Sequence, residues 1–425
     1  MTEARRERLV AAGVLAVPFL VAIAVLQGLT VEIDTFHGTD AGLYHLPTIR
    51  QFAEHVDLSS YPAAQTPLYH LLFAGFGKVA GFEPWKLRLL NAAISYGAAL
   101  ALLRLLRRAT PLEPLQALAL TLVFTLSPYF FGASFTLLTD NLALLFAFLA
   151  LERAEAFRRS GSFAPLALAC LALCAAVLTR QSFVWLAAVA GWFVLRAALR
   201  PGRRLAGLAL VGAALLPLLG LVIAWDGLVP KGSDPGSCGL CGDQPGGEGL
   251  SLRPVGFTLA LLGAYAAVLF GPAALRRARE LPAPQALAGA LAGGVALLLV
   301  SPLSYEPKAP SRPGDGGWLW KVADRVPEVA GSSLLFFVLV PAGLLALWLL
   351  VRRAGVESLP AVAFAFFLLA ALPVRLVYQK YFDPMVLVTL ALLARPPDLR
   401  TRRDYAGAAV LCVAFVAYAV SFSGD

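Results

Sequence analysis

Side chains able to accept a proton are concentrated in one polar segment near the start of the chain. Residues 31–69 contain three of the chain's four histidines, and the fourth follows the segment directly. Its acidic and imidazole side chains include Asp34, Asp40, Glu54, Asp57, His37, His45 and His55, with His70 just beyond. A carboxylate or an imidazole beside a hydroxyl acts as a general base. We therefore expect the chemistry of the protein in this segment.

The rest of the chain is apolar, and this determines where the segment lies. Of 425 residues, 59% are hydrophobic and 14% are charged, compared with about 45–50% and 25% in soluble domains. The apolar runs are residues 9–29, 86–107, 114–128, 138–157, 162–179, 181–199, 205–224, 254–274, 283–301, 331–351, 358–374, 381–394 and 406–422. The sequence predicts an all-α polytopic membrane protein with about thirteen transmembrane helices, forming a single domain over residues 1–425.

Arginine clusters between the runs predict the orientation of the bundle. The clusters lie at residues 5–8, 104–108, 158–159, 200–204, 276–279, 352–353 and 395–403. If the runs alternate in direction, every cluster falls on one side, which the positive-inside bias assigns to the cytoplasm together with the N-terminus. The predicted extracytoplasmic loops are residues 31–85, which are also the predicted catalytic loop, 225–253 and 302–330. Charges distributed in this way explain the formal net charge of +9 without a nucleic-acid partner.

Residues 1–29 also have the basic start and apolar stretch of a signal peptide. The apolar stretch is longer than a typical signal sequence, and no small-residue cleavage site precedes the acidic loop. We interpret these residues as a retained first helix.

Histidine and cysteine spacing does not predict a metal site. His45, His55 and His70 lack the spacing that places two ligands on one helix face, and no Asp-x-Asp pair occurs in the first loop. Cys238 and Cys241 lack a second cysteine pair nearby, so we interpret them as a local disulfide or as two free thiols. We expect no metal.

Short motifs follow one another along the predicted outer segments in an order shared with a known family. They are Asp40-Ala-Gly-Leu-Tyr44-His45-Leu-Pro47, Thr66-Pro67-Leu68-Tyr69, Leu87-Arg88-Leu-Leu-Asn91, Thr139-Asp140, Arg180-Gln181 with Trp185, Trp225-Asp226-Gly227 ahead of Lys231-Gly-Ser, residues 315–321 ending Trp-Leu-Trp-Lys, and Lys380-Tyr381-Phe382. This series resembles the eukaryotic α-1,2-glucosyltransferase that adds the last glucose to the dolichol-linked oligosaccharide. That enzyme is a member of the GT-C superfamily.

The resemblance implies a GT-C type bundle whose first extracytoplasmic loop is helical. It implies an enzyme that moves glucose or another hexose, with inversion, from a polyprenyl-phosphate carrier to a hydroxyl of a lipid-linked glycan or similar acceptor. The donor is then a substrate, and no cofactor is expected. The Arg-, Ala- and Leu-rich composition is typical of bacteria, so we expect undecaprenyl phosphate as carrier and the inner membrane as location. The chain departs from the family at Asp40-Ala41, where the family has an acidic pair, and at Lys380-Tyr381, where it has Arg-Tyr.

Inverting transfer requires a carboxylate that accepts the proton of the attacking hydroxyl. Asp40 is the predicted general base, because it heads the matched motif and precedes Tyr44 and His45 on an emerging helix. Asp34 competes with it, since it lies closer to the end of the first apolar run. For both, the alternative is a solvated loop carboxylate or a helix cap. Asp140 is either the cap of the next helix or a second acid near the acceptor.

Cations are needed to hold the departing phosphate. Arg180 lies between two apolar runs, where it is interpreted either as a phosphate clamp or as a side chain that reaches to the membrane surface. Arg375 and Lys380 flank the predicted outer connection between the runs 358–374 and 381–394. They are exceptions to the positive-inside bias, so we expect an anionic partner there. Lys231 and Lys321 are weaker candidates for the same role.

The remaining predicted contacts involve the sugar and the loop. Residues expected near the acceptor or the sugar are Tyr44, His45, Gln181, Trp318 and Trp320. The two tryptophans are alternatively members of the interfacial aromatic belt. Arg88 and Asn91, one helical turn apart, are expected to brace the first loop.

Two other functions are alternatives to the transferase. A transporter or flippase of lipid-linked sugars would carry buried charges at mid-helix and matching broken helices, whereas the polar residues here gather at one predicted face. A ligase or polymerase would use a diphosphate-linked glycan. The expected partners are membrane lipids, the polyprenyl-phosphate sugar and the glycan acceptor, and the oligomeric state is left open.

Overall fold

The fold is built almost entirely from helices. The computed structural model describes residues 3–28, 40–233, 250–276, 284–304, 316–374 and 377–422. Across these ranges the chain forms eighteen α-helices and one two-stranded antiparallel sheet. The prediction of an all-α protein is confirmed. The chain divides into unit 1, residues 1–109 and 130–245, and unit 2, residues 110–129 and 246–425.

Unit 1 contains the first loop and the helices around it. Its helices are α1 (Glu3–Gly28), α2 (Leu46–Glu54), α3 (Leu68–Ala80), α4 (Pro84–Ala109), most of α6 (Pro128–Phe135), α7 (Asp140–Ser160), α8 (Phe163–Thr179), α9 (Trp185–Arg196), α10 (Pro201–Ala213) and α11 (Leu216–Trp225). A π-helical turn, Ala41–His45, leads into α2, and a 3-10 turn, Gln181–Val184, leads into α9.

Helices α4 and α7 run in the same direction through unit 1, and their contacts define its two ends. Near the start of α4, Asn91 Nδ2 donates to the carbonyl oxygens of Ala133, at 2.7 Å, and Thr136, at 2.6 Å, just before α7 begins. Near its end, Arg104 Nε lies 3.0 Å from a Glu152 carboxylate oxygen, and Arg108 pairs with the same carboxylate. The two helices therefore run side by side, with their starts at one end of unit 1 and their ends at the other.

Three of the basic clusters of unit 1 lie together at the end of α4 and α7, namely those at residues 5–8, 104–108 and 158–159. Glu152 has a side chain only 2% exposed there and is compensated by two arginines. Glu155 binds Arg158 and Arg159, each at 2.7 Å, and Arg107 lies 3.8 Å from Glu7 near the start of α1. We call this the basic end of unit 1. Asp140 begins α7 some fifteen residues before Glu155, which is about 22 Å along a helix rising 1.5 Å per residue.

Two apolar stretches contain breaks that proline explains. Residues 205–224 form α10 and α11, bent by 40°. Pro217 falls in the first turn of α11, where its missing N–H and its ring prevent an uninterrupted helix. Residues 129–137 lie between two of the predicted apolar runs, and Pro128 begins the short helix α6 there. Proline at the first helical position is already in helical conformation.

The first loop packs as a small core on unit 1. Ile49 and Phe52 of α2 and Tyr69 and Phe73 of α3 are buried together. Residues from α4, α7 and α11 complete the cluster, namely Leu87, Leu142 and Trp225. Each fully buried side chain of this size contributes roughly 1.5–3 kcal/mol, so the loop is held to the helices by apolar contact.

Unit 2 contains the remaining helices. They are α5 (Pro114–Leu126), α12 (Arg253–Arg276), α13 (Pro284–Val300), α14 (Trp318–Ala323), α15 (Leu334–Ala354), α16 (Leu359–Ala371), α17 (Gln379–Leu393) and α18 (Tyr405–Phe422). The strands β1 (Glu328–Val329) and β2 (Ser332–Ser333) form a hairpin in register Glu328 to Ser333, immediately before α15.

Helices α12 and α15 approach closely because glycine occupies both sides of the contact. A β-carbon on Gly343 would collide with the Leu259 carbonyl oxygen, and one on Gly263 would collide with the Leu339 carbonyl oxygen. Small residues allow helix backbones in membranes to come within van der Waals contact. The pair Gly263 and Gly343 thus sets the spacing of the two helices.

Every apolar run predicted from the sequence overlaps a helix or a pair of helices. Of the described helices, four are long and apolar enough to cross a membrane, and six if each of two bent pairs counts as one span. The chain is therefore an integral membrane protein. The prediction of about thirteen crossings and the prediction of a single domain over residues 1–425 both stay predictions.

The glycine contact gives a stability prediction. Gly263→Ala should lower the free energy of unfolding by about 1–3 kcal/mol, the usual effect of overpacking, because the added methyl group meets backbone atoms of α15. The change is measured as a lower thermal unfolding midpoint of the purified protein in detergent.

The matched control is Gly271→Ala on the same helix. A β-carbon there meets no atom within 4 Å, so alanine should leave stability unchanged or raise it slightly through its better helix propensity. Equal midpoints for the Gly263 and Gly271 variants would contradict a close approach at Gly263.

Candidate functional site

An ion pair joins two of the predicted site residues at the start of α7. Arg180 Nη1 lies 2.5 Å from Asp140 Oδ1, and the two side chains are 15% and 25% exposed. Arg180 ends α8 in extended conformation, and its N–H donates to the Ala176 carbonyl oxygen at 2.8 Å. The end of α8 and the beginning of α7 therefore bring a cation and a carboxylate together, away from the basic end.

The residue after Asp140 secures the beginning of α7. Asn141 is fully buried, and its Nδ2 donates to Ser95 Oγ at 2.8 Å, to the Phe130 carbonyl oxygen at 3.0 Å and to Ser134 Oγ at 3.1 Å. These contacts connect α7 to α4 and α6. Asp140 is thus presented on a rigid helix start.

Two hydrogen bonds fasten the first loop to the same region, and a third joins Gln181 to the segment after α11. Gln181 Nε2 donates to the carbonyl oxygens of Ala64, at 2.8 Å, and Leu228, at 3.2 Å. Trp225 Nε1 donates to the Leu58 carbonyl oxygen at 2.6 Å. We call the region formed by Asp140, Arg180, Gln181 and the loop residues 58–65 the polar end of unit 1.

Lys231 lies beside this loop. Its backbone N–H donates to the Ser59 carbonyl oxygen at 3.3 Å, and its side chain is exposed. The arrangement brings a second predicted phosphate-binding cation to the polar end.

Asp40 is exposed at the beginning of the π-helical turn that leads into α2. The next residue, Ala41, is buried in the apolar cluster that also contains Leu142, two residues after Asp140. Asp40 and Asp140 therefore border one cluster. Tyr44 packs against the same cluster in a partly buried position.

His45 and His70 form a buried pair beneath this surface. His45 Nδ1 and His70 Nε2 are 2.9 Å apart, the rings are stacked with centroids 5.2 Å apart, and Tyr61 and Tyr69 surround them. Burial, and then the neighbouring His45, lower the pKa of His70 well below its ordinary value. His70 is therefore neutral at pH 7. His45, predicted to touch the sugar, contributes to the core of the loop.

Asn91 occupies the position expected of a brace. It is fully buried and accepts a hydrogen bond from Tyr69 OH at 3.4 Å, in addition to donating to the carbonyl oxygens of Ala133 in α6 and of Thr136 just after it. Burial, and then the Asp140 carboxylate, raise the pKa of Tyr69 well above its ordinary value, so its hydroxyl remains a donor. Arg88 lies half-buried one turn earlier.

The tryptophans of unit 2 have different surroundings from one another. Trp320 is 2% exposed, stacks on Phe257 with centroids 4.7 Å apart and donates from Nε1 to the Val377 carbonyl oxygen at 2.8 Å. This packing makes it a core residue and leaves it poorly suited to stack on a sugar. Trp318 is partly exposed, and its Nε1 donates to Tyr265 OH at 3.2 Å.

The two predicted lysines of unit 2 lie over aromatic rings. The Lys380 ammonium is 5.2 Å from the Tyr381 ring centroid, and the Lys321 ammonium is 5.9 Å from that of Tyr418. Contacts of this kind stabilise a cation by about 0.5–1 kcal/mol at exposed positions, so they orient the side chains without neutralising them.

Sequence reasoning missed a buried carboxylate in unit 2. Asp383 is fully buried in α17 and accepts hydrogen bonds from Ser127 Oγ at 2.7 Å, from Gln379 Nε2 at 3.1 Å and from Tyr265 OH. Gln379 Oε1 in turn accepts from the Leu319 N–H at 3.0 Å. The network holds α14 against the start of α17. An ionisable residue inside an apolar run, here residues 381–394, is the signal that should have indicated it.

Other predicted residues fall outside the described ranges. These are Asp34, Arg375, Cys238 and Cys241. Among the described residues no group of three or more His, Cys, Asp or Glu side chains could hold a metal ion. The expectation that no metal is needed stays a prediction.

Comparison with known proteins adds one finding. No family model and no curated protein matches the sequence. The crystal structure of ArnT from Cupriavidus metallidurans in the apo state matches with a TM-score of 0.39 and 15% identity, covering 84% of this chain and 73% of that chain. A likeness at this level carries no conclusion about activity or site residues.

The buried histidine pair gives a prediction for pH dependence. The folded chain disfavours protonation of His70, whereas the unfolded chain accepts a proton near pH 6.5. The unfolded state thus binds more protons below pH 6.5, and stability falls by up to about 1.4 kcal/mol per pH unit. The thermal unfolding midpoint should drop between pH 7 and pH 5, and His70→Gln should flatten this dependence.

The control for this prediction is His55→Gln. His55 is exposed at the end of α2, so its replacement should leave the slope of midpoint against pH as in the wild type. A His70→Gln slope equal to that of the wild type would show that the buried pair does not control acid stability.

Proposed function

We propose that the chain is a GT-C type glycosyltransferase. It takes glucose or another hexose from a polyprenyl-phosphate carrier and gives it, with inversion, to a hydroxyl of a lipid-linked glycan or similar acceptor. The likeness to the dolichyl-phosphate-glucose-dependent family carries the choice of donor, and the geometry of unit 1 supports it.

One observation supports this proposal above the others. Motifs that are far apart in the sequence meet at the polar end of unit 1. They contribute Asp140, Arg180, Gln181, Trp225 and Lys231. Asp40 comes directly before Ala41, which belongs to the apolar cluster of the first loop. A carboxylate and cations gathered beyond the helix ends, roughly 22 Å along α7 from the basic end, are what phosphate-linked sugar transfer needs.

In the proposed reaction, the acceptor hydroxyl oxygen attacks the anomeric carbon of the donor sugar. The bond from that carbon to the phosphate oxygen breaks, and the polyprenyl phosphate leaves with the electron pair. Asp40 takes the proton of the attacking hydroxyl. Its exposed position at the beginning of a helical turn leaves its carboxylate accessible to a substrate.

Arg180 and Lys231 are proposed to stabilise the charge that develops on the departing phosphate. The planar guanidinium of Arg180 suits two phosphate oxygens at once, and Lys231 supplies a mobile point charge. Lys380 and Arg375, assigned to the same phosphate from the sequence, stay predictions.

The location follows from the positive-inside bias. With the basic end of unit 1 in the cytoplasm, the polar end lies outside, and the donor is drawn from the outer leaflet of a bacterial inner membrane. Membrane lipids and the lipid-linked acceptor are the proposed partners.

The base assignment gives a direct prediction. Asp40→Asn should reduce transfer by about 10²–10⁴-fold, the usual contribution of a general base, and leave folding intact because the side chain is exposed. The measurement is release of free polyprenyl phosphate from purified protein given a panel of polyprenyl-phosphate hexoses and a lipid-linked glycan extract.

The control is Glu54→Gln, an exposed carboxylate on α2, which should transfer at the wild-type rate. Full activity of Asp40→Asn would exclude Asp40 as base. Release of product only from diphosphate-linked donors would point to a ligase, and movement of labelled lipid-sugar across vesicles without bond formation would point to a flippase.

Metal dependence provides a further prediction. Because the proposed charge stabilisation comes from Arg180 and Lys231, a chelator should leave the rate of transfer unchanged. Dialysis against EDTA followed by the same assay checks this. A loss of activity that Mg²⁺, Mn²⁺ or Zn²⁺ restores would show that a metal ion takes part in stabilising the departing phosphate.

A further inference from the structure

Two side chains with separate proposed partners are bound to each other at the polar end of unit 1. Arg180 is proposed to hold the phosphate of the donor, whereas Asp140 was expected near the acceptor. The structure joins them by an ion pair of 2.5 Å between Nη1 and Oδ1. A phosphate that binds Arg180 in the same geometry must therefore compete with the Asp140 carboxylate.

The pair is weak enough to exchange. Its side chains are 15% and 25% exposed, so water reaches the pair and screens part of its attraction. A phosphate offers the guanidinium two parallel charge-assisted hydrogen bonds, which are stronger and geometrically more specific than a single contact. A donor phosphate that reaches Arg180 therefore offers it a stronger partner than the single contact with Asp140.

The surroundings allow exchange without movement of the backbone. Arg180 is held by the hydrogen bond from its N–H to Ala176 and by its carbonyl oxygen, which accepts from the Phe183 N–H at 3.1 Å. Asp140 begins α7, where the positive end of the helix dipole stabilises a carboxylate even without a cationic partner. Only side-chain torsions need to change.

Two buried polar atoms flank Asp140. Thr139 Oγ1 and Asn141 Oδ1 are buried without a hydrogen-bond partner among the described residues. Buried polar groups usually have such partners. The start of α7 therefore has hydrogen-bonding capacity that the described residues do not use.

We infer that the donor phosphate and the Asp140 carboxylate compete for Arg180, so that donor binding releases Asp140 to bind the acceptor hydroxyl. This inference rests on the proposed function and deepens it. It makes Asp140 an acceptor-binding residue with two alternating partners, and it orders the substrates, with the donor binding first.

The test measures binding of undecaprenyl phosphate, titrated in detergent micelles against the purified full-length protein by intrinsic tryptophan fluorescence. Asp140→Asn should bind the lipid phosphate about 3- to 10-fold more tightly than the wild type, because the competing charge is gone. Arg180→Gln should bind at least 10-fold more weakly. In the variant that combines Asp140→Asn with Arg180→Gln, the affinity for the lipid phosphate should equal that of Arg180→Gln alone. The guanidinium for which the carboxylate and the phosphate compete is then absent.

A transfer assay on the same proteins separates this role from a purely structural one. Asp140→Asn should raise the KM for the acceptor and leave the KM for the donor equal or lower, whereas loss of structure would weaken both. Arg158→Gln, at the basic end of α7, is the matched control and should change neither substrate. Should Asp140→Asn not fold by its thermal midpoint, Asp140→Ser takes its place with the same expected gain in phosphate affinity.

The outcomes distinguish the inference from the function it rests on. If Asp140→Asn binds undecaprenyl phosphate as weakly as Arg180→Gln, the pair is a structural bridge and competition is excluded. If all variants bind alike, Arg180 does not hold the phosphate and the inference is wrong, while transfer still stands. If the wild type neither binds the lipid phosphate nor releases it from a hexose donor, the proposed function fails and the inference with it.

Discussion

The bilayer imposes the constraint on which the rest of the structure depends: within hydrocarbon, every backbone N–H and C=O must be bonded inside the protein. The chain meets this demand with helices, and its irregular backbone lies between them. The candidate site of unit 1 consequently lies at helix ends. The beginning of α7, the end of α8 and the segment before α3 form it, through Asp140, Arg180 and Thr66, whose hydroxyl donates to the Val177 carbonyl oxygen at 2.7 Å.

Helix α7 shows how one element serves both surfaces. Its first residue is a carboxylate, which the positive end of the helix dipole stabilises, and its last turn carries Arg158 and Arg159 at the negative end. Glu152 and Glu155 lie between these charges, each paired with arginines. The same charge pattern therefore stabilises the helix and sets the two ends of unit 1 apart.

Much of the architecture followed from the sequence, because apolar periodicity and arginine placement are local signals. Each apolar run became a helix, and the breaks occurred where Pro128 and Pro217 require them. Contacts between distant residues could not be predicted in the same way. The pairing of Asp140 with Arg180 joins residues forty positions apart, and the burial of Trp320 on Phe257 depends on packing that no short motif records. The role of Asp383 was not predicted, because residues 381–394 are apolar on average. In the structure its single carboxylate accepts hydrogen bonds from three donors.

The fastening of the first loop has a consequence for how the protein is made. The Leu58 carbonyl oxygen accepts a hydrogen bond from the indole of Trp225, which is synthesised 167 residues later. Ribosomes add roughly 5–20 residues per second. For on the order of ten to thirty seconds of synthesis, the Leu58 carbonyl oxygen therefore lacks this hydrogen bond, and Tyr61 lacks its edge-on contact with the Trp225 ring. The first loop gains both contacts only when α11, the last helix of unit 1 in chain order, has been synthesised.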